Sequence, residues 1–184
     1  LGNFAGYTNN ASNNVFLGNE AGRNNTSGTN NAFIGYLAGR ANTSGSSNIF
    51  LGNNAGKSTS LASASIIMGN NSAQDITTQI SSSIIMGENA LTTMHTNIPV
   101  YSSLIMGNTA GVSIGEGATS MSQCIFIGMG AGSGVNTVTA TLKGIEGVVA
   151  LGNNSGANSD GYRNVFIGSN AGSGYKGMQN TLIG

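Results

Sequence analysis

Asn14-Val15-Phe16-Leu17-Gly18-Asn19-Glu20-Ala21-Gly22 returns as Asn31-Ala32-Phe33-Ile34-Gly35-Tyr36-Leu37-Ala38-Gly39, and again as Asn48-Ile49-Phe50-Leu51-Gly52-Asn53-Asn54-Ala55-Gly56. The pattern is a bulky apolar residue, then Gly, then Ala or Ser three further on. Followed outward, it places anchor glycines at Gly2, Gly18, Gly35, Gly52, Gly69, Gly87, Gly107, Gly128, Gly152 and Gly168, with another beginning at Gly184. Their spacings are 16, 17, 17, 17, 18, 20, 21, 24, 16 and 16 residues. Self-similarity at a fixed short period is the signature of a repeat architecture, in which each unit contacts mainly its neighbours.

The residue two before each glycine defines a column through Phe16, Phe33, Phe50, Ile67, Ile85, Ile105, Phe126 and Phe166, interrupted by Ala150. Aliphatic residues flank it on both sides, as Val15 and Leu17 do around Phe16. Short runs rich in β-branched and aromatic residues that end at glycine read as strands. No apolar residue returns at helical spacing over a useful length. After the anchor, the third residue is always small and the fourth is Gly except at Ala73 and Leu91, a pattern suited to a tight corner. The rest of each unit reads as polar, as in 23–30. One strand per turn in constant register describes an all-β, parallel β-solenoid of about ten coils of 16–24 residues. Coils spaced about 4.8 Å apart give a rod roughly 48 Å long, with the phenylalanines stacked as a ladder. Asn14, Asn31 and Asn48 form a further column suited to hydrogen bonding along the stack. The whole of 1–184 reads as one such domain, a piece of a longer fibre, with insertions near 91–103 and 133–148.

Alternate side chains of a strand point to opposite faces, so Phe16 faces one way and Val15 and Leu17 the other. Both faces are apolar, as in strands buried on both sides. One face is covered by the coil's own return. The other requires further copies of the chain packed around an axis.

These residues resemble the head repeats of trimeric autotransporter adhesins of the YadA type, and equally the Asn-Thr-Phe-Ile-Gly repeats of phage and other viral tail fibres. Val112-Ser113-Ile114-Gly115-Glu116-Gly117-Ala118 comes nearest the adhesin form. The adhesin heads repeat at a shorter period and carry a small residue where this chain has phenylalanine, which favours the fibre variant. The resemblance spans the chain and implies a homotrimeric, extracellular role at a cell or virion surface, structural or adhesive.

Six Lys and Arg balance six Asp and Glu among 184 residues. No basic footprint for nucleic acid is present, and no apolar run is long enough for direct membrane insertion. The scattered carboxylates show no paired spacing for acid–base chemistry, which disfavours a polysaccharide depolymerase. His95, the only histidine, reads as a surface-loop residue and not as a metal ligand. Cys124, the only cysteine, stands in the place of Asn14 and reads as packing. Arg23, Arg40 and Lys57 occupy one place in consecutive coils and require solvation or a bridging anion. No catalytic residue, cofactor or metal is expected. The expected partners are other copies of the chain and a host glycan or surface receptor. His95, Tyr101 and Lys143 on or beside the insertions are the candidate receptor contacts. The rival readings are a glycan-binding module and an ice-binding solenoid, the latter lacking a regular threonine column.

Overall fold

The computed structural model describes residues 1–92, 98–114, 119–135 and 144–184. Ten strands stack in one parallel sheet: β1 (Val15–Leu17), β2 (Ala32–Ile34), β3 (Ile49–Leu51), β5 (Ile66–Met68), β7 (Ile84–Met86), β9 (Leu104–Met106), β11 (Ile125–Ile127), β13 (Val149–Leu151), β14 (Val165–Ile167) and β15 (Thr181–Ile183). The register never slips: Phe16 lies beside Phe33, Phe33 beside Phe50, and the column continues through Ile67, Ile85, Ile105, Phe126, Ala150, Phe166 and Leu182. The chain is a β-solenoid, as its period requires.

The phenylalanine column points inward. Phe33, Phe50, Phe126 and Phe166 are fully buried, and Phe16, nearer the end of the stack, is partly so. Ring centroids stand 5.4 Å apart between Phe16 and Phe33 and 4.6 Å between Phe33 and Phe50, with the planes stacked. The glycine four after the anchor makes room for these rings. At Gly39 the backbone is left-handed (φ 60), and a Cβ there would stand 2.5 Å from the Phe33 ring. Two coils without a ring dispense with this glycine, whereas the Ile105 coil keeps Gly111, where a Cβ would meet Leu91 and Ile114 at 3.2 Å. Ala73 and Leu91 keep the left-handed backbone, but their coils carry Ile67 and Ile85 in place of phenylalanine. The side chains of Ala73 and Leu91 fill the space that a ring would take, and both are fully buried. The anchor glycines serve a different purpose. A Cβ on Gly35 would stand 2.2 Å from the carbonyl oxygen of Gly52 in the next coil, so the close stacking itself excludes a side chain.

The return segment departs from the uniformly polar reading. In five coils it contains a strand: β4 (Leu61–Ser63), β6 (Gln79–Ser81), β8 (Val100–Tyr101), β10 (Ser120–Ser122) and β12 (Gly144–Glu146), which form a second parallel sheet. Ala62, Ile80, Val100, Met121 and Ile145 point inward from it and are fully buried. In the coils before it, the same place, seven before the anchor, is Gly28 or Gly45. Buried asparagines fill the interior there: Asn25 Nδ2 donates to the Gly28 carbonyl at 2.9 Å and Asn42 Nδ2 to that of Gly45 at 3.0 Å. Each amide nitrogen is paired with a backbone carbonyl, which offsets much of the cost of burying it, while Asn25 Oδ1 is left without a partner.

The asparagine column hydrogen-bonds along the rod. Asn14 Oδ1 accepts from the backbone N–H of Asn31, Asn31 Oδ1 from that of Asn48, and Asn48 Oδ1 from that of Ser65. Serine hydroxyls then take over, as Ser65 Oγ accepts from Ser83 N–H, Ser83 Oγ from Ser103 N–H and Ser103 Oγ from Cys124 N–H.

Candidate functional surface

With the rings inside, the outer face of the ten-stranded sheet carries the flanking aliphatic columns. Val15, Leu17, Ile49, Leu51, Ile84 and Ile127 are all exposed there, Val15 at 56%. The outer face of the second sheet is largely polar, with Ser63, Gln79, Ser81, Ser120, Ser122 and Glu146; Leu61 is its apolar exception. The two sides of the rod therefore differ in chemistry. One side is a continuous apolar stripe about 48 Å long and two residues wide, on the order of 500 Å². That is at the upper end of what a monomer exposes, where such patches are commonly functional.

A groove of about 480 Å³ lies where the two sides meet, lined by Ser82, Ser102, Ser103 and Gln123 on its polar wall and by Ile84, Leu104 and Ile125 on its apolar one. Ser82, Ser102 and Gln123 are left-handed corner residues (φ 51, 48 and 54), which turn the chain from the second sheet into the first. The groove offers hydroxyl and amide hydrogen-bonding groups beside hydrocarbon, with no titratable side chain in its lining.

Of the three candidate receptor contacts, His95 and Lys143 lie outside the described residues. Tyr101 sits on the outer face of β8, half-buried, and its hydroxyl donates to Gln79 Oε1 at 3.4 Å. The flanks of the two insertions belong to the coils: Leu91, Val100, Val135, Ile145 and Val148 are all buried in the core. Ile114, in the adhesin-like segment, is likewise a fully buried core residue of the return side.

Among the described residues, ion pairs form within and between coils. Glu20 Oε2 accepts from Arg23 Nη1 at 3.2 Å and from Arg40 Nε at 2.8 Å, so for these two members of the cationic row the relieving anion is a side chain of the protein. Arg163 pairs with Glu146 at 3.3 Å and Lys176 with Asp160 at 3.2 Å. Cys124 is fully buried and donates to the Ser122 carbonyl at 3.3 Å. Burial pushes its thiol pKa up from 9.0 to about 12, the reverse of what a nucleophile needs. Among the described residues no three His, Cys, Asp or Glu side chains gather as a metal site, and no helix is long and apolar enough to cross a membrane. The sequence pointed to surface loops for function. It did not separate the two sides of the rod, although the glycine that clears a ring, as Gly39 does for Phe33, marks which face of the strand is inner.

No known protein family, no curated protein and no solved structure matches this chain.

Proposed function

We propose that the chain is a non-catalytic fibre segment, structural or adhesive, that assembles as a homotrimer through the outer face of its ten-stranded sheet and works outside the cell, on a bacterial or virion surface. The observation that supports this reading is the difference between the rod's two sides: an apolar stripe on one, serines and glutamine on the other. Water-exposed hydrocarbon in straight columns favours burial against a surface with the same repeat, and another copy of the chain supplies one at matching spacing. The paired carboxylates and the sealed thiol agree with a scaffold in place of a reactive centre. Receptor or glycan binding falls to the polar side and the inserted loops.

Light scattering of the purified chain at micromolar concentration tests the assembly. A mass three times that of the 18.4 kDa chain is expected, falling to the single-chain mass when Ile49 and Ile84 are both changed to Lys. A monomeric wild-type chain overturns the reading.

A further inference from the structure

We infer that Met68, Met86 and Met106 form a binding site for a soft monovalent cation, Cu(I) or Ag(I), on the outer face of the ten-stranded sheet. The three residues end β5, β7 and β9 and are direct partners in the parallel register, Met68 beside Met86 and Met86 beside Met106. All three are half-buried on the outer face. Elsewhere the same column is branched hydrocarbon: Leu17, Ile34 and Leu51 before the methionines, Ile127, Leu151, Ile167 and Ile183 after them. An exposed strand position favours β-branched residues, so strand propensity gives no reason for three unbranched thioethers in succession.

Their chemistry supplies one. Neighbouring strands hold the three Cα atoms about 4.8 Å apart in a line. A methionine side chain has three rotatable bonds, so the outer two can lean toward the middle one and bring three sulfurs around one ion. Thioether sulfur is a soft ligand that selects Cu(I) over the hard divalent cations. The column beside it, Ile66, Ile84 and Leu104, is hydrocarbon and offers Mg²⁺, Ca²⁺ or Zn²⁺ no ligand. Glu88, two residues beyond Met86 and hydrogen-bonded by Asn108 Nδ2 at 3.3 Å, adds a negative charge that favours a cation nearby. Binding leaves the oxidation state unchanged and displaces no proton, because a thioether carries none. The inference does not depend on the fibre reading; within a trimer the ion would sit at the seam.

The test is titration of the purified chain in a Cys124→Ser background with Ag(I), and anaerobically with Cu(I) against a chromogenic Cu(I) chelator, while methionine methyl resonances are followed. One ion per chain is expected at micromolar concentration, moving the methyls of Met68, Met86 and Met106 and leaving those of Met121 and Met178 in place. Met86→Leu should weaken binding at least tenfold, and the triple change to Leu should abolish it. Met129→Leu should have no effect. Leucine fills the same column at Leu17, Leu51 and Leu151, so these variants keep the fold. Undiminished binding by the triple variant, or equal shifts of all methionine methyls, overturns the site. Light scattering on the same samples separates the two readings, since a monomer that binds one ion refutes the trimer alone.

Discussion

Cys124 ends a row of hydroxyls. Three successive coils before it place Ser65, Ser83 and Ser103 at the same point, and each serine oxygen accepts the next backbone N–H. The thiol continues the row in position but pays for burial electrostatically, since its anion has no solvent. The sign of the effect is fixed. The unfolded chain releases this proton near pH 9, whereas the folded chain holds it to about pH 12. Stability therefore falls as pH rises through that window, by at most about 1.4 kcal/mol per pH unit. Cys124→Ser should remove this component, so urea midpoints of the wild type and the variant that run parallel up to pH 8 should diverge between pH 9 and 11, the variant losing less. Parallel curves throughout would show that the thiol ionises equally in both states.

A three-residue strand presents two unlike jobs to its side chains. In β2, Phe33 fills the interior, and in β3, Ile49 lies on the outer face, 47% exposed. Phe33→Asp should therefore unfold the chain itself, at a cost of about 5 kcal/mol or more from lost packing and an unpaired buried charge. Ile49→Asp should keep the single-chain fold within about 1 kcal/mol and act on assembly alone. Circular dichroism with urea titration distinguishes the two, and equal losses would mean that the outer face is part of the fold's own core. This division was only half legible in the sequence. The period placed every anchor strand and the ring ladder, because ten in-phase copies leave no other register. It did not say which face was inner, since both are apolar; the answer lay in Gly39 and its equivalents, which exist to clear a ring. The second sheet was missed for a related reason. Counting forward from one anchor, the insertions scramble its position. Counting back seven residues from the next anchor aligns Ala62, Ile80, Val100, Met121 and Ile145 against Gly28 and Gly45. The Met68–Met86–Met106 alignment was equally visible as letters, but its placement on an exposed face needed the strands' inner side to be known.

Over the whole rod, the bonds joining one coil to the next run along its long axis: Gly35 N–H to the Leu17 carbonyl at 2.8 Å, Gly52 N–H to that of Ile34 at 2.9 Å, and so on through the stack. Each coil touches only its neighbours, so a tension applied between residues 1 and 184 is borne by one interface at a time and not by the molecule at once. A single chain held in an optical trap should consequently yield in steps. Each 17-residue coil that detaches frees about 58 Å of contour and gives up about 5 Å of rod, a gain of roughly 50 Å. The coils of 20, 21 and 24 residues should give steps of roughly 65 to 80 Å. One undivided rupture of the whole length would contradict this. Under load the fold acts as a reel, and the lengths of its turns, written in the spacing of the anchor glycines, become the lengths of its steps.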